Sequence, residues 1–102
     1  MSKKFIIIIS PDDKEVSDKV LTYVKDKGFS WWHWINGTYL IKSKKSEITC
    51  RQMRDDLRAI LPATLHLVIE LKPGTDMSWC GTGPTSKGKS MFDWLHKNWK
   101  SE

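Results

Sequence analysis

Residues 83–90, Gly83-Pro84-Thr85-Ser86-Lys87-Gly88-Lys89-Ser90, match the phosphate-binding string GxxxxGKS letter for letter. In a P-loop that string follows a buried strand directly, and an acid further along the chain holds the metal. Here Thr75 to Thr82 is polar and turn-rich, and only a dozen residues follow Ser90. That context argues against a nucleoside triphosphatase. The local physics survives the failed signature. Glycine-rich backbone, the Thr85 and Ser86 hydroxyls, Lys87, Gly88, Lys89 and a helix start at Ser90 together suit a phosphate cradle. The plainer alternative is a solvated loop.

A second set is basic. Lys44 and Lys45 are followed by Arg51, Arg54 and Arg58 at spacings i, i+3, i+7, which can track phosphates. Asp55 and Asp56 interrupt the patch, as they would on an ordinary charged helix face. The chain carries six tryptophans, and Trp31 and Trp79 are the candidates for stacking on bases. The competing use of so many large rings is to fill a small core. His33 joins the ligand-binding candidates, while neither it nor His66 has a triad partner in view. Cys50 lies beside Arg51 with no evident base. Two isolated cysteines, Cys50 and Cys80, show neither zinc-ligand spacing nor a disulfide framework, so no metal and no cofactor is expected from them.

The net charge of +5, from 17 Lys and Arg against 12 Asp and Glu, favours anionic partners or simply solubility. The length of 102 residues suits one domain with a modest core. The apolar run Phe5 to Ile9 is too short for a signal-peptide core or a membrane span. A cytoplasmic protein without a membrane partner is the expectation.

The elements that must position these residues follow from periodicity. Phe5-Ile6-Ile7-Ile8-Ile9 reads as a central strand buried on both faces. Ser10 as cap, Pro11 at the first helical position and Asp12-Asp13 in the first turn open a helix with Val16, Val20, Leu21 and Val24 inward. Gly28 ends it. Asn36-Gly37, flanked by aromatic and branched residues, is a strong hairpin signal. A two-residue loop pairs Ile35 with Thr38, Trp34 with Tyr39, His33 with Leu40 and Trp32 with Ile41. Trp32, Trp34, Tyr39 and Ile41 then form the core face. Trp31, His33, Ile35 and Leu40 share an open face with His66 and Val68. A second helix starts at Ser46 or Thr49, where Thr49 and Gln52 fit a capping box, and buries Met53, Leu57, Ile60 and Leu61 before Pro62. Thr64 to Leu71 alternates as a strand. The expected domain is single, residues 1–102, with a core over 3–71, a loop over 72–89 and a short helix over 90–100.

Strand, helix, strand, strand, helix, strand is the ferredoxin-like βαββαβ pattern, an α+β fold with both helices on one face of an antiparallel sheet. Its first and third strands are central. Ile9-Ser10-x-Asp12, Ser30-Trp31-Trp32-His33, Thr38-Tyr39-Leu40-Ile41-Lys42-Ser43, Arg54-Asp55-x-Leu57, Leu67-Val68-Ile69 and Trp94-Leu95 resemble the small ferredoxin-like subunits of the CRISPR spacer-acquisition complex. The likeness is nearest to their stand-alone relatives outside CRISPR loci, and it runs from about Lys4 to Trp99. It implies a homodimer in which two sheets meet. Some members are metal-dependent nucleases with an Asp at the end of the first strand, a position matched by Asp12, and others only bind nucleic acid. Pro11 and Asp13 depart from that pattern, as does the Gly/Lys loop. Three functions follow as expectations. The favoured one is a non-catalytic homodimer that binds a nucleotide, an oligonucleotide signal or short nucleic acid. The others are an Mg²⁺-dependent endonuclease using Asp12, and a protein-interaction module.

Overall fold

The computed structural model describes residues 3–44, 48–71, 85–86 and 89–90. Strand β1, Lys3–Ser10, is followed by helix α1, Lys14–Asp26, and by the hairpin β2, Ser30–Ile35, and β3, Thr38–Ser43. Helix α2, Cys50–Ile60, leads into β4, Leu65–Leu71. These four strands form one antiparallel sheet in the order β2-β3-β1-β4. The fold is α+β, with β1 and β3 central and β2 and β4 at opposite edges, an order compatible with the ferredoxin-like arrangement.

Local chemistry explains the element ends. Asp13 caps α1, its side chain accepting from the Val16 backbone N–H at 2.9 Å. The cap is therefore Asp13 rather than Ser10, and Pro11 and Asp12 lie ahead of the helix. Gly28 takes φ +73° at the far end, where its N–H and that of Phe29 close onto the carbonyls of Lys25 and Val24. Thr49 and Gln52 make the expected capping box at the start of α2.

One face of the sheet and both helices share a core of Phe5, Ile7, Ile9, Tyr39 and Ile41 with Val16, Val20, Val24, Met53 and Leu57. Each such side chain taken from water contributes about 1.5–3 kcal/mol before chain entropy is charged against it.

Three expectations about faces are corrected. First, β1 is not buried on both sides: Phe5, Ile7 and Ile9 are buried, whereas Ile8 is 44% exposed. Second, β4 presents His66, Val68 and Glu70 to the helices, opposite Ile9, Ile7 and Phe5. Leu65 and Leu67, 79% and 56% exposed, lie on the far face with Ile69. Contacts to α2 hold this setting: Glu70 Oε1 accepts from the Cys50 N–H at 3.3 Å, and Cys50 Sγ donates to the Val68 carbonyl at 3.1 Å.

Third, the hairpin does not keep its simple register. Ile35 pairs with Thr38, but Trp32 pairs with Leu40 and Trp31 with Ile41. His33 and Trp34 together therefore oppose Tyr39, a β-bulge with one extra residue. The bulge exchanges the two tryptophans. Trp31 packs against the helix-side core, with Lys25 Nζ 5.7 Å from its ring centroid. Trp32 is on the far face, yet buried.

Thr85–Ser86 (β5) and Lys89–Ser90 (β6) form a separate antiparallel pair. Ser90 closes β6, and the helix expected over 90–100, like most of the loop expected over 72–89, lies outside the described residues. The expectations for Lys45, Trp79, Lys87 and Gly88 lie outside them too.

Candidate functional site

The polar centre of the molecule is Asp12, between β1 and α1. Its side chain is 0% exposed. Oδ2 accepts from the Gly37 N–H at 2.7 Å and lies 2.9 Å from His33 Nε2. Oδ1 accepts from Tyr39 Oη at 2.8 Å. The Asp12 carbonyl accepts from Asn36 Nδ2 at 2.7 Å, and the Ile9 N–H donates to the Gly37 carbonyl at 2.8 Å. The Asn36-Gly37 turn is thereby bound to the end of β1 at Ile9 and at Asp12.

Two local features build this knot. Gly37 has φ +82°, and a Cβ there would stand 2.9 Å from the Ile9 carbonyl oxygen, so only glycine fits. The bulge turns His33 onto the helix side, where its ring stacks on Tyr39 with centroids 3.8 Å apart and planes 20° apart. Burial first, and then the hydrogen bond to Asp12, push the Tyr39 phenol well above its ordinary range, so it stays a donor.

The chemistry of this arrangement is that of a buried anchor. An Mg²⁺ ion needs carboxylate oxygens with open lone pairs and room for its waters. Asp12 has its oxygens committed to three donors and no exposed surface, so it does not fit a metal. No group of three or more metal-ligating side chains occurs among the described residues.

The other candidates are scattered. His33 belongs to the Asp12 knot, and His66 is on the opposite edge strand, its Nδ1 buried without a hydrogen-bond partner among the described residues. Trp31 is committed to the core edge and Lys25. Arg51, Arg54 and Arg58 are exposed on α2, with Arg54 paired to its neighbour Asp55 at 2.7 Å. Lys44 is exposed just after β3. Thr85, Ser86, Lys89 and Ser90 form the small β5–β6 pair, and the residues that flank them lie outside the described ones.

Of the partners of Asp12, His33 was among the sequence candidates, whereas Asn36, Gly37 and Tyr39 were not. Their signal was present in the topology. If β3 is central beside β1, the turn that starts β3 must sit at the end of β1, where Asp12 is.

No helix among the described residues is long and apolar enough to cross a membrane. Compared with known proteins, the chain matches no family model, no curated protein and no solved structure. Its class therefore rests on the architecture: a small α+β protein with a four-stranded antiparallel sheet and two helices.

Proposed function

We propose that this protein is a non-catalytic, homodimeric binding module of ferredoxin-like fold that takes a phosphorylated ligand. The observation that carries the reading is the far face of the sheet. Ile8, Leu65, Leu67 and Ile69 are 38–79% exposed there, in neighbouring positions on β1 and β4. Apolar surface in one contiguous patch marks an interface. A second copy is the natural occupant because the strip on β4 contains no charge from Leu65 to Leu71 except the inward Glu70, so it can meet itself about a two-fold axis. Kinship with the CRISPR spacer-acquisition subunits belongs to the same proposal and is supported by the compatible strand order.

The ligand half is supported by the charge of +5 and by Arg51 and Arg58, exposed and without an ion pair among the described residues. The absence of catalysis is supported by Asp12, whose carboxyl group is spent on holding the Asn36-Gly37 turn. Light scattering on the purified chain is the test. A dimer that falls to monomer mass in Leu67→Lys, with unchanged circular dichroism, is expected. A wild-type monomer at micromolar concentration rejects the dimer.

A further inference from the structure

At the end of the molecule away from Asp12, the two helices leave a cavity of about 740 Å³ above the end of β3. That is within the range of small-molecule sites, roughly 300–1,000 Å³. Its floor is apolar, from Phe29 and Ile48. Asp56 lines it too, and its Oδ2 accepts from Tyr23 Oη at 2.7 Å, a bond that joins α1 to α2. Burial and this bond keep the Tyr23 phenol protonated far into the alkaline range. Two exposed ammonium groups, Lys27 and Lys44, stand on the rim from different elements. Gln52 also lines it; its Oε1 is used by the Thr49 N–H, which leaves the amide NH₂ to donate.

The chemical demand of this lining is specific. Two cations and an amide donor call for a multiply charged anion. The Asp56 carboxyl, with one oxygen taken by Tyr23, leaves the other to accept from an N–H. The Phe29–Ile48 floor calls for an apolar or flat body between these ends. A free phosphate leaves the floor and Asp56 unused, and a plain apolar ligand leaves the lysines unused. We propose that this cavity binds a purine nucleoside monophosphate, its phosphate held by Lys27 and Lys44, its base on Phe29 and Ile48 with an N–H directed to Asp56. The proposal deepens the phosphorylated-ligand half of the proposed function and is independent of the dimer. It also moves the site from the Gly/Lys string and the arginine face to the mouth between the helices.

The test is calorimetric titration of the full chain at low salt with AMP, GMP, adenosine and inorganic phosphate. Expected are binding of AMP or GMP tighter than about 1 mM, and at least about tenfold weaker binding of adenosine and of phosphate alone. Lys27→Ala with Lys44→Ala lowers nucleotide affinity at least about tenfold and flattens its salt dependence, while the melting temperature stays near wild type. Lys27→Arg with Lys44→Arg restores binding. Leu67→Lys leaves nucleotide affinity unchanged whatever it does to the mass, which separates this site from the dimer reading. The proposal is overturned if neither nucleotide binds at about 1 mM, if phosphate alone binds as tightly as the nucleotide, or if the double alanine variant keeps full affinity.

Discussion

The two faces of the sheet are built from the same kinds of residue and meet opposite fates. On the helix side Ile7, Tyr39 and Ile41 are wholly buried beneath α1 and α2. On the far side Trp32 is 3% exposed, but Ile35 on the same edge strand is 46% exposed, and Leu65, Leu67 and Ile69 on the other edge strand are 38–79% exposed. Composition does not separate the two, because β1 offers isoleucine to both and β4 offers its leucines to the outside. What separates them is polar anchoring. The helix side owns the Asp12 knot and the Glu70–Cys50 contact, each of which is satisfied only in one setting of the strands, and the Tyr23–Asp56 bond that ties the two helices together. The lesson is that buried hydrogen bonds choose between settings that hydrophobicity leaves nearly equivalent.

The sharpest way to break this contrast is to truncate one leucine on each side. Leu57→Ala, from a site with no exposure, should cost about 2–5 kcal/mol in urea denaturation. Leu65→Ala, at 79% exposure, should change the stability of a dilute sample by less than about 0.5 kcal/mol. Equal losses at the two positions would mean that the far face is covered after all.

Asp12→Ala tests the anchor itself. It strips the buried Gly37 N–H and the Tyr39 hydroxyl of their acceptor, and each orphaned group costs about 1–3 kcal/mol. A fall of about 3 kcal/mol, seen by thermal unfolding, is expected. A neutral substitution would mean that the Asp12 carboxyl group does not anchor the Asn36-Gly37 turn.

Two glycines sharpen the point on a smaller scale. Gly28→Ala meets nothing within 4 Å and pays only for its φ of +73°, about 1–2 kcal/mol. Gly37→Ala bears the same conformational cost and a 2.9 Å approach to backbone, so it should be the more damaging of the pair by chemical denaturation. The reverse order would show that the turn is not clamped to β1.

The smallest effect is on pH. An unfolded tyrosine loses its proton near pH 10. Burial chiefly, with the bonds to Asp12 and Asp56, holds Tyr39 and Tyr23 above that value in the fold. Their contribution is therefore complete below about pH 10 and is lost as pH rises beyond it. Unfolding followed between pH 9 and 12 should show this decline, roughly, and Tyr39→Phe should lessen it. A slope that is identical in the variant would assign alkaline loss to other groups.

Much of the fold was legible from local chemistry. The Asn36-Gly37 turn, the Thr49–Gln52 box and the Gly28 stop each have a mechanism within a few residues, and the strand order followed from the element sequence. The faces were not legible. No glycine or proline marks the bulge at His33-Trp34, so alternation counted back from the turn reached the wrong side at Trp31 and Trp32. The alternation in β4 is unambiguous but does not say which side meets the helices, since that depends on Glu70 and Cys50, twenty residues apart. The site was legible in part. Asp12 was marked as an acid after a strand, but its burial depends on donors from the hairpin, and the cavity depends on the splay of two helices.

The bulge has a further consequence for how this hairpin can change. Residues before it are out of phase with residues after it, so straightening the bulge with both His33 and Trp34 retained would slide the outer part of β2 by one place against β3. Every side chain there would then point the other way. At Trp31-Trp32 that exchange replaces an indole by an indole on each side of the sheet. The tandem pair makes the strand indifferent to its own phase: a one-residue slip is a near-synonym in the middle of β2, while at His33 it would take away a partner of Asp12.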